Sequence, residues 1–262
     1  DNAPIGALSQ EDAANLLNVS RRSVQRAREV LYEGAPELVE AVERGRISVS
    51  AAANVASRPI AEQREIVARG RDGQMVNFPV QRNLHRDGIL AVTEVYEGHL
   101  PADLQQQAVT AARAIAERVN YVGVLCVEFF LLAQADGQIA WVVNEIAPRP
   151  HNSGHHSIDS CDVSQFELQV RCMAHLPLPT PRLHSPCVML NLLGDVWLAS
   201  GATPQEPDWA AVLALPGVHL HLYGKAEPRH GRKMGHLTVT AATIREARAV
   251  AAQAARVLGL PA

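Results

Sequence analysis

The stretch GVLCVEFFLLAQADGQIAWVVNEIAPRPHNSGHH, Gly123 to His156, decides how this chain is read. Its two apolar runs, VLCVEFFLLA and IAWVVNEI, read as strands. Between them, Ala135-Asp136-Gly137-Gln138 contains an Asp-Gly pair, a strong signal for a two-residue hairpin turn. With Asp136 and Gly137 as the turn, the register sets Glu128 opposite Glu145, and the Cβ atoms of such a pair lie about 5 Å apart on one face. Two carboxylates at that spacing repel unless something positive lies between them. Magnesium meets the need, because it prefers oxygen ligands and commonly combines one or two carboxylates with phosphate oxygens. Asn144, one residue before Glu145, is expected to point to the opposite face. The bland alternative is a pair of glutamates on a solvated edge.

The residues that follow weigh against that alternative. In APRPHNSGHH, Ala147 to His156, prolines and glycine stop regular structure where polar side chains are concentrated. Arg149, His151 and Asn152 are suited to holding a planar anion through charge-assisted hydrogen bonds. A zinc site from His151, His155 and His156 is the rival, but Pro150 and Gly154 disfavour a helical histidine spacing and cysteine support is thin. One or two of these histidines are equally well explained as buried, hydrogen-bonded side chains.

Outward from this stretch, the chain has 262 residues, 47% hydrophobic and 19% charged, with a net charge of −3. It is long enough for one large or two small domains with buried cores. No apolar run reaches bilayer length and the first ten residues lack a signal-peptide pattern, so a cytoplasmic protein without membrane contact is expected. Cys126, Cys161, Cys172 and Cys187 show no CxxC spacing and read as reduced thiols. The charge balance gives no global case for nucleic-acid binding. Asp1 in place of methionine fits a chain that begins within something longer. Helices are expected over residues 103–119, with Leu104, Ala108, Ala112, Ile115 and Val119 on one face, and over 242–258, with Ile244, Val250, Ala251, Ala254 and Val257 on one face. Further strands are expected over 186–193, 217–223 and 235–240.

Residues 1 to about 70 differ in composition: they are rich in Ala, Arg and Glu, almost free of aromatics, and helical in pattern. In LSQEDAANLLNVSRRSVQRAREVL, Ala13, Ala14 and Leu17 give one small helix an apolar face, Asn18 suits a tight turn, and Ser20 caps a second helix. The spacing resembles helix-turn-helix DNA-binding proteins, and residues 37–70 resemble the helical region behind that motif in ParB-like proteins. That resemblance implies DNA contact through residues 20–31, with Arg21, Arg22, Arg26 and Arg28 on phosphates or bases. The alternative is a small helical bundle whose arginines face solvent beside glutamates.

The motifs GVLCVEFFLL, VNEIAPRPHNSGHHSIDSCDVSQFELQVR, LYGKAEPRHGRKMGH and NLHRDGIL occur in an order that closely resembles the C-terminal half of the N5-carboxyaminoimidazole ribonucleotide synthases, ATP-grasp enzymes of purine biosynthesis. The resemblance implies an α+β fold: a partial ATP-grasp domain over residues 72–182 and a small β-rich C-terminal domain over 183–262, behind the helical segment 1–71. It implies that Glu128 and Glu145 bind Mg2+ with the phosphates of ATP. Arg149, His151 and Asn152 would surround bicarbonate or its carboxyphosphate, while Lys225, Arg232 and, less directly, Lys233 would grip the phosphate of 5-aminoimidazole ribonucleotide. A homodimer is the candidate assembly.

The implied reaction joins bicarbonate to the amine of 5-aminoimidazole ribonucleotide as ATP becomes ADP and phosphate. Cations offset charge as the γ-phosphoryl group moves, and a closed site shields carboxyphosphate from water. The GGGQL-type start and YDGKGQ-type loop of that family are not in this sequence. The magnesium carboxylates are thus expected without the opposite wall of the ATP site. Two other readings follow: a DNA-binding regulator with a ligase-derived sensing module, and a chimeric fragment without function as a unit.

Overall fold

The computed structural model describes residues 61–86, 88–133, 139–199 and 203–260. The expected helix-turn-helix with Arg21, Arg22 and Arg26, and the Asp136-Gly137 turn, lie outside these residues. The chain divides into two compact units, residues 1–60 with 131–142 and residues 61–130 with 143–262. The second unit carries the sheet pairings whose register is described.

Strand β1 (Ala61–Arg69) corrects the sequence reading, which assigned these residues to the helical segment 1–71. It pairs antiparallel with β2 (Met75–Asn77), β3 (Gln81–Arg86) and β5 (Gly123–Ala133). Gln63, Arg64, Glu65, Ile66, Val67 and Ala68 are all buried in succession. Ala, Glu, Gln and Arg favour helix in isolation, but pairing along both strand edges overrides that preference. Because both faces are covered, the apolar-polar alternation that identifies a half-exposed strand is absent.

The remaining strands are β4 (Ile89–Val95), β6 (Ile139–Ala147), β7 (Cys187–Leu193), β8 (Val218–Leu222) and β9 (Lys233–Thr240). Among the described residues they form one nine-stranded sheet in the order β6-β5-β1-β3-β4-β7-β9-β8, with β2 attached to β1. The β4–β7 ladder, Val92↔Leu190 to Val95↔Cys187, carries the sheet across the boundary read at residues 182–183. The apolar cores do divide there. One gathers Ile66, Ala68, Val124, Cys126, Leu168 and Cys172; the other gathers Val188, Leu192, Leu237, Val239, Ala251 and Ala254.

Helix α1 (Ala102–Arg118) packs on β1 through Leu104, Ala108, Ala112 and Ala116. Val119, expected on this face, is the C-cap and is exposed. The helix α5 (Ile244–Val257) buries Ala247, Ala251, Ala254 and Ala255 and starts with a capping box between Thr243 and Glu246, while Val257 is exposed. In both helices alanine carries the buried stripe, which lets the helix approach the sheet closely. Between them lie the short helices α2 (Ser157–Ser160) and α4 (Trp209–Leu213) and the helix α3 (Gln165–Ala174). All four cysteines are free and buried, and no described helix is long and apolar enough to cross a membrane.

Candidate functional site

Glu128 of β5 and Arg64 of β1 are direct cross-strand partners, and the Arg64 guanidinium donates to the Glu128 carboxylate at 2.5 Å. Both side chains are buried, so the pair is satisfied geometrically while each charge pays for lost hydration. Burial pushes the Glu128 carboxyl above its ordinary range, Arg64 pulls it back, and Glu145 pushes it up again. The last effect places the two glutamates close enough to repel. Asn144 Nδ2 donates to the other Glu128 oxygen at 3.4 Å, so Asn144 lies on the Glu128 side and not on the opposite face, as the simple hairpin register required. Glu145 itself is exposed.

Arg64 also donates from Nη2 to His85 Nε2 of β3 at 2.8 Å, which puts the imidazole proton on Nδ1. Burial and the charges of Arg64 and Lys233 lower the His85 pKa to about 3. His85 is therefore neutral and acts as an acceptor.

Beyond β6 the chain enters the 3-10 segment Asn152–His156. Gln165, the first residue of α3, clamps its start: the side-chain oxygen accepts from His151 N at 2.8 Å, and the side-chain nitrogen donates to His151 O at 2.7 Å. Gly154 is required at the centre, because a Cβ there would meet Ile66 Cδ1 at 2.5 Å and Gln165 Oε1 at 2.6 Å. His151 Nε2 lies 3.4 Å from Glu128 Oε1, and its Nδ1 is 3.1 Å from Ser153 Oγ. Burial first, then Arg64, Arg149, Lys233 and His155, lower its pKa to about 2. Burial and the neighbouring cations together keep His151 neutral, so its approach to Glu128 is not an ion pair. Asn152 is 7% exposed, yet neither its side-chain nitrogen nor its oxygen has a hydrogen-bond partner among the described residues.

Lys233, at the start of β9, is half-buried; burial, Arg64 and Arg149 lower its pKa, against the pull of Glu128 and Glu145. It thus shares one electrostatic neighbourhood with Arg64, Glu128, Glu145, Arg149 and His151. Lys225 and Arg232 are held differently. Lys225 Nζ donates to Lys233 O at 2.6 Å, and Arg232 Nη1 donates to Glu227 O at 2.6 Å. Both therefore sit on the connection between β8 and β9, and Lys233 is the member of this trio that reaches the carboxylates. His155 and His156 do not join His151 in a metal-ligand cluster: His155 Nδ1 accepts from Gln165 Nε2 at 2.8 Å, and His156 Nδ1 lies 2.8 Å from Ser160 Oγ.

Sequence reasoning missed Arg64, His85 and Gln165. Arg64 was hidden in a segment of helix formers, and nothing local links Gln165 to His151, fourteen positions earlier. The donor set suits a hard divalent cation: Glu128, Glu145 and the amide of Asn144 offer oxygens, and a cation there would offset both the burial that chiefly raises the Glu128 pKa and the smaller repulsion from Glu145. Arg64 is the built-in competitor for the same carboxylate.

Residues 53–166 match the ATP-grasp domain family, and residues 187–250 match the phosphoribosylaminoimidazole carboxylase C-terminal domain. The chain is 45% identical over 174 residues to the N5-carboxyaminoimidazole ribonucleotide synthase of Escherichia coli strain K12, covering 66% of this chain and 44% of that protein. It is 42% identical over 188 residues to the synthase of Vibrio vulnificus strain YJ016, covering 71% of this chain and 45% of that one. Among solved structures it resembles the N5-carboxyaminoimidazole ribonucleotide synthetase of Thermotoga maritima, with a TM-score of 0.62 and 34% identity over 75% of this chain and 51% of that one. The synthetase from Thermus thermophilus gives a TM-score of 0.66 at 27% identity, over 97% and 80% of the respective chains. The chain thus spans a little under half the length of the curated relatives it matches.

Proposed function

Because residues 53–166 and 187–250 carry the C-terminal ATP-grasp and carboxylase region of the N5-carboxyaminoimidazole ribonucleotide synthases, we propose that this chain supplies the metal, bicarbonate and ribonucleotide-phosphate side of an ATP-dependent carboxylation of 5-aminoimidazole ribonucleotide. The observation that supports it best is Asn152: a buried amide with both polar atoms unpaired, beside the neutral imidazole of His151. Buried polar groups are ordinarily paired, and an orphaned donor and acceptor side by side suit a small planar oxyanion. Bicarbonate fits, held by Asn152, by His151 and by the Arg149 guanidinium.

Glu128 and Glu145 would hold Mg2+ with the phosphates of ATP; the ion supplies charge neutralisation for phosphoryl transfer. The chain's own cations, Arg64, Arg149 and Lys233, already converge on this region and offset the charge that develops as bicarbonate oxygen attacks the γ-phosphorus and ADP leaves. Burial of His151 and Asn152 excludes water from the carboxyphosphate so formed, leaving the amine of the ribonucleotide as the nucleophile that takes its carboxyl group and releases phosphate. Lys225 and Arg232, with Lys233, would bind the ribonucleotide phosphate.

The test is phosphate release from ATP by the full chain. It should require both bicarbonate and 5-aminoimidazole ribonucleotide, and Glu145→Gln should abolish it. Release that ignores either substrate, or survives the substitution, would overturn the reading. For residues 20–31 the spacing of Arg21, Arg22 and Arg26 behind Ser20 favours a second role in DNA binding. Binding to duplex DNA with a steep salt dependence, lost when all three become Ala, would support it, and no binding at low salt would sink it.

A further inference from the structure

Asp159, His221 and His236 take no part in the proposed reaction, yet they converge from three elements. Asp159 belongs to α2, while His221 of β8 and His236 of β9 are cross-strand partners. One ligand atom from each lies within 4.8 Å of the others. The His221 Nε2 is 2.9 Å from Asp159 Oδ2, and the two imidazoles stack with centroids 4.5 Å apart and planes 12° apart. His219 Nδ1 approaches the second Asp159 oxygen at 3.8 Å.

A second observation points to a ligand. His236 is 2% exposed; its Nδ1 lies 3.0 Å from the Tyr223 hydroxyl, but its Nε2 has no hydrogen-bond partner among the described residues. A buried ring nitrogen left unpaired is costly unless something binds it. If Nδ1–H donates to Tyr223, Nε2 presents a lone pair, and the tyrosine fixes the ring as outer partners do for metal-bound histidines. His155 is nearby, with its ring centroid 5.2 Å from that of His236, but it is not a fourth ligand. Gln165 accepts from His151 N through its oxygen, so its nitrogen must donate to His155 Nδ1, and the His155 proton is then on Nε2.

We propose that Asp159, His221 and His236 bind one first-row divalent transition ion of the zinc class, with the remaining position left to water. Two imidazole nitrogens and one carboxylate suit zinc, and they disfavour magnesium or calcium, which take oxygen ligands. Zinc bonds of about 2.0–2.1 Å in a tetrahedron put ligand atoms about 3.3 Å apart, so the ion must draw this cluster in and turn the stacked His221 and His236 rings toward a common point. An ion here pins α2 to the β8–β9 hairpin and thereby steadies the NSGHH segment that carries Asn152.

The experiment uses the full chain, stripped with chelator, dialysed against limiting Zn2+ and assayed for retained metal, with Co2+ substitution read by its visible absorption. About one ion per chain, with tetrahedral Co2+ bands, is expected. Both Asp159→Asn and His221→Asn should weaken binding at least about tenfold, as loss of a ligand must. The half-buried His221 is the deciding position, since replacing fully buried His236 can unfold the sheet. Changing the exposed histidines His175, His184 and His230 together to Asn should leave binding intact. No retained ion, or retention lost in that triple variant and kept in His221→Asn, would overturn the proposal.

Discussion

At Glu65 the carboxyl is fully buried, accepts a hydrogen bond from Asn77 Nδ2 at 2.8 Å, and has its pKa pushed up to about 8, burial outweighing Asn77 and Arg113. An acid whose pKa is raised on folding contributes its full stability below its unfolded value and loses it as pH rises through the folded one. Between about pH 4.5 and pH 8 this group should therefore cost about 1.4 kcal/mol per pH unit. Glu65→Gln, which keeps an acceptor for Asn77, should flatten that slope and raise the denaturation midpoint at pH 8 more than at pH 5; urea titrations at the two pH values check this. Asn152 gives the opposite trade. Asn152→Leu removes no hydrogen bond from the described protein and should leave the melting temperature unchanged or higher, while raising the KM for bicarbonate at least about tenfold. Glu128, Arg149, His151 and Asn152 stand out in the sequence because they cluster around one hairpin and its exit. Arg64 does not, because its partner is 64 positions away and its neighbours favour helix.

Two elements show how far local pattern reaches. The helices α1 and α5 are legible from their 3.6-residue period and their start signals, within two residues at each end. Thr243→Ala should cost about 1 kcal/mol by removing the cap of α5, measured by denaturant unfolding. The α3 start is a different case, since Gln165 is both its first residue and the clamp on the His151 backbone. In Gln165→Leu the His151 N–H and C=O lose their buried partners, a loss of about 2–4 kcal/mol, and the NSGHH segment should loosen, seen as faster hydrogen exchange there. β1 marks the limit of local reading. A strand buried on both faces has no alternation to reveal it, and Glu62-Gln63-Arg64-Glu65 spells helix until β3 and β5 are placed beside it.

Across the described residues the sheet, rather than either core, is the continuous object. Strands paired on both edges, β1, β3, β4, β5, β7 and β9, should exchange their amide hydrogens slowest, and the end strands β6 and β8 faster; mass spectrometry of exchanged peptides reads this directly. From sequence, residues 72–182 and 183–262 look like separate domains because their motifs and apolar patterns change there, and the β4–β7 pairing that fuses them joins segments nearly a hundred positions apart. Arg248 of α5 adds a two-pronged pair to Glu94 of β4, both contacts at 2.7 Å. The exposed Pro179-Thr180 connection lies between the two cores. The covalent link there is therefore dispensable to the association: severed after Pro179, the two pieces should find each other and copurify as a reassembled pair, each completing the other's open sheet edge.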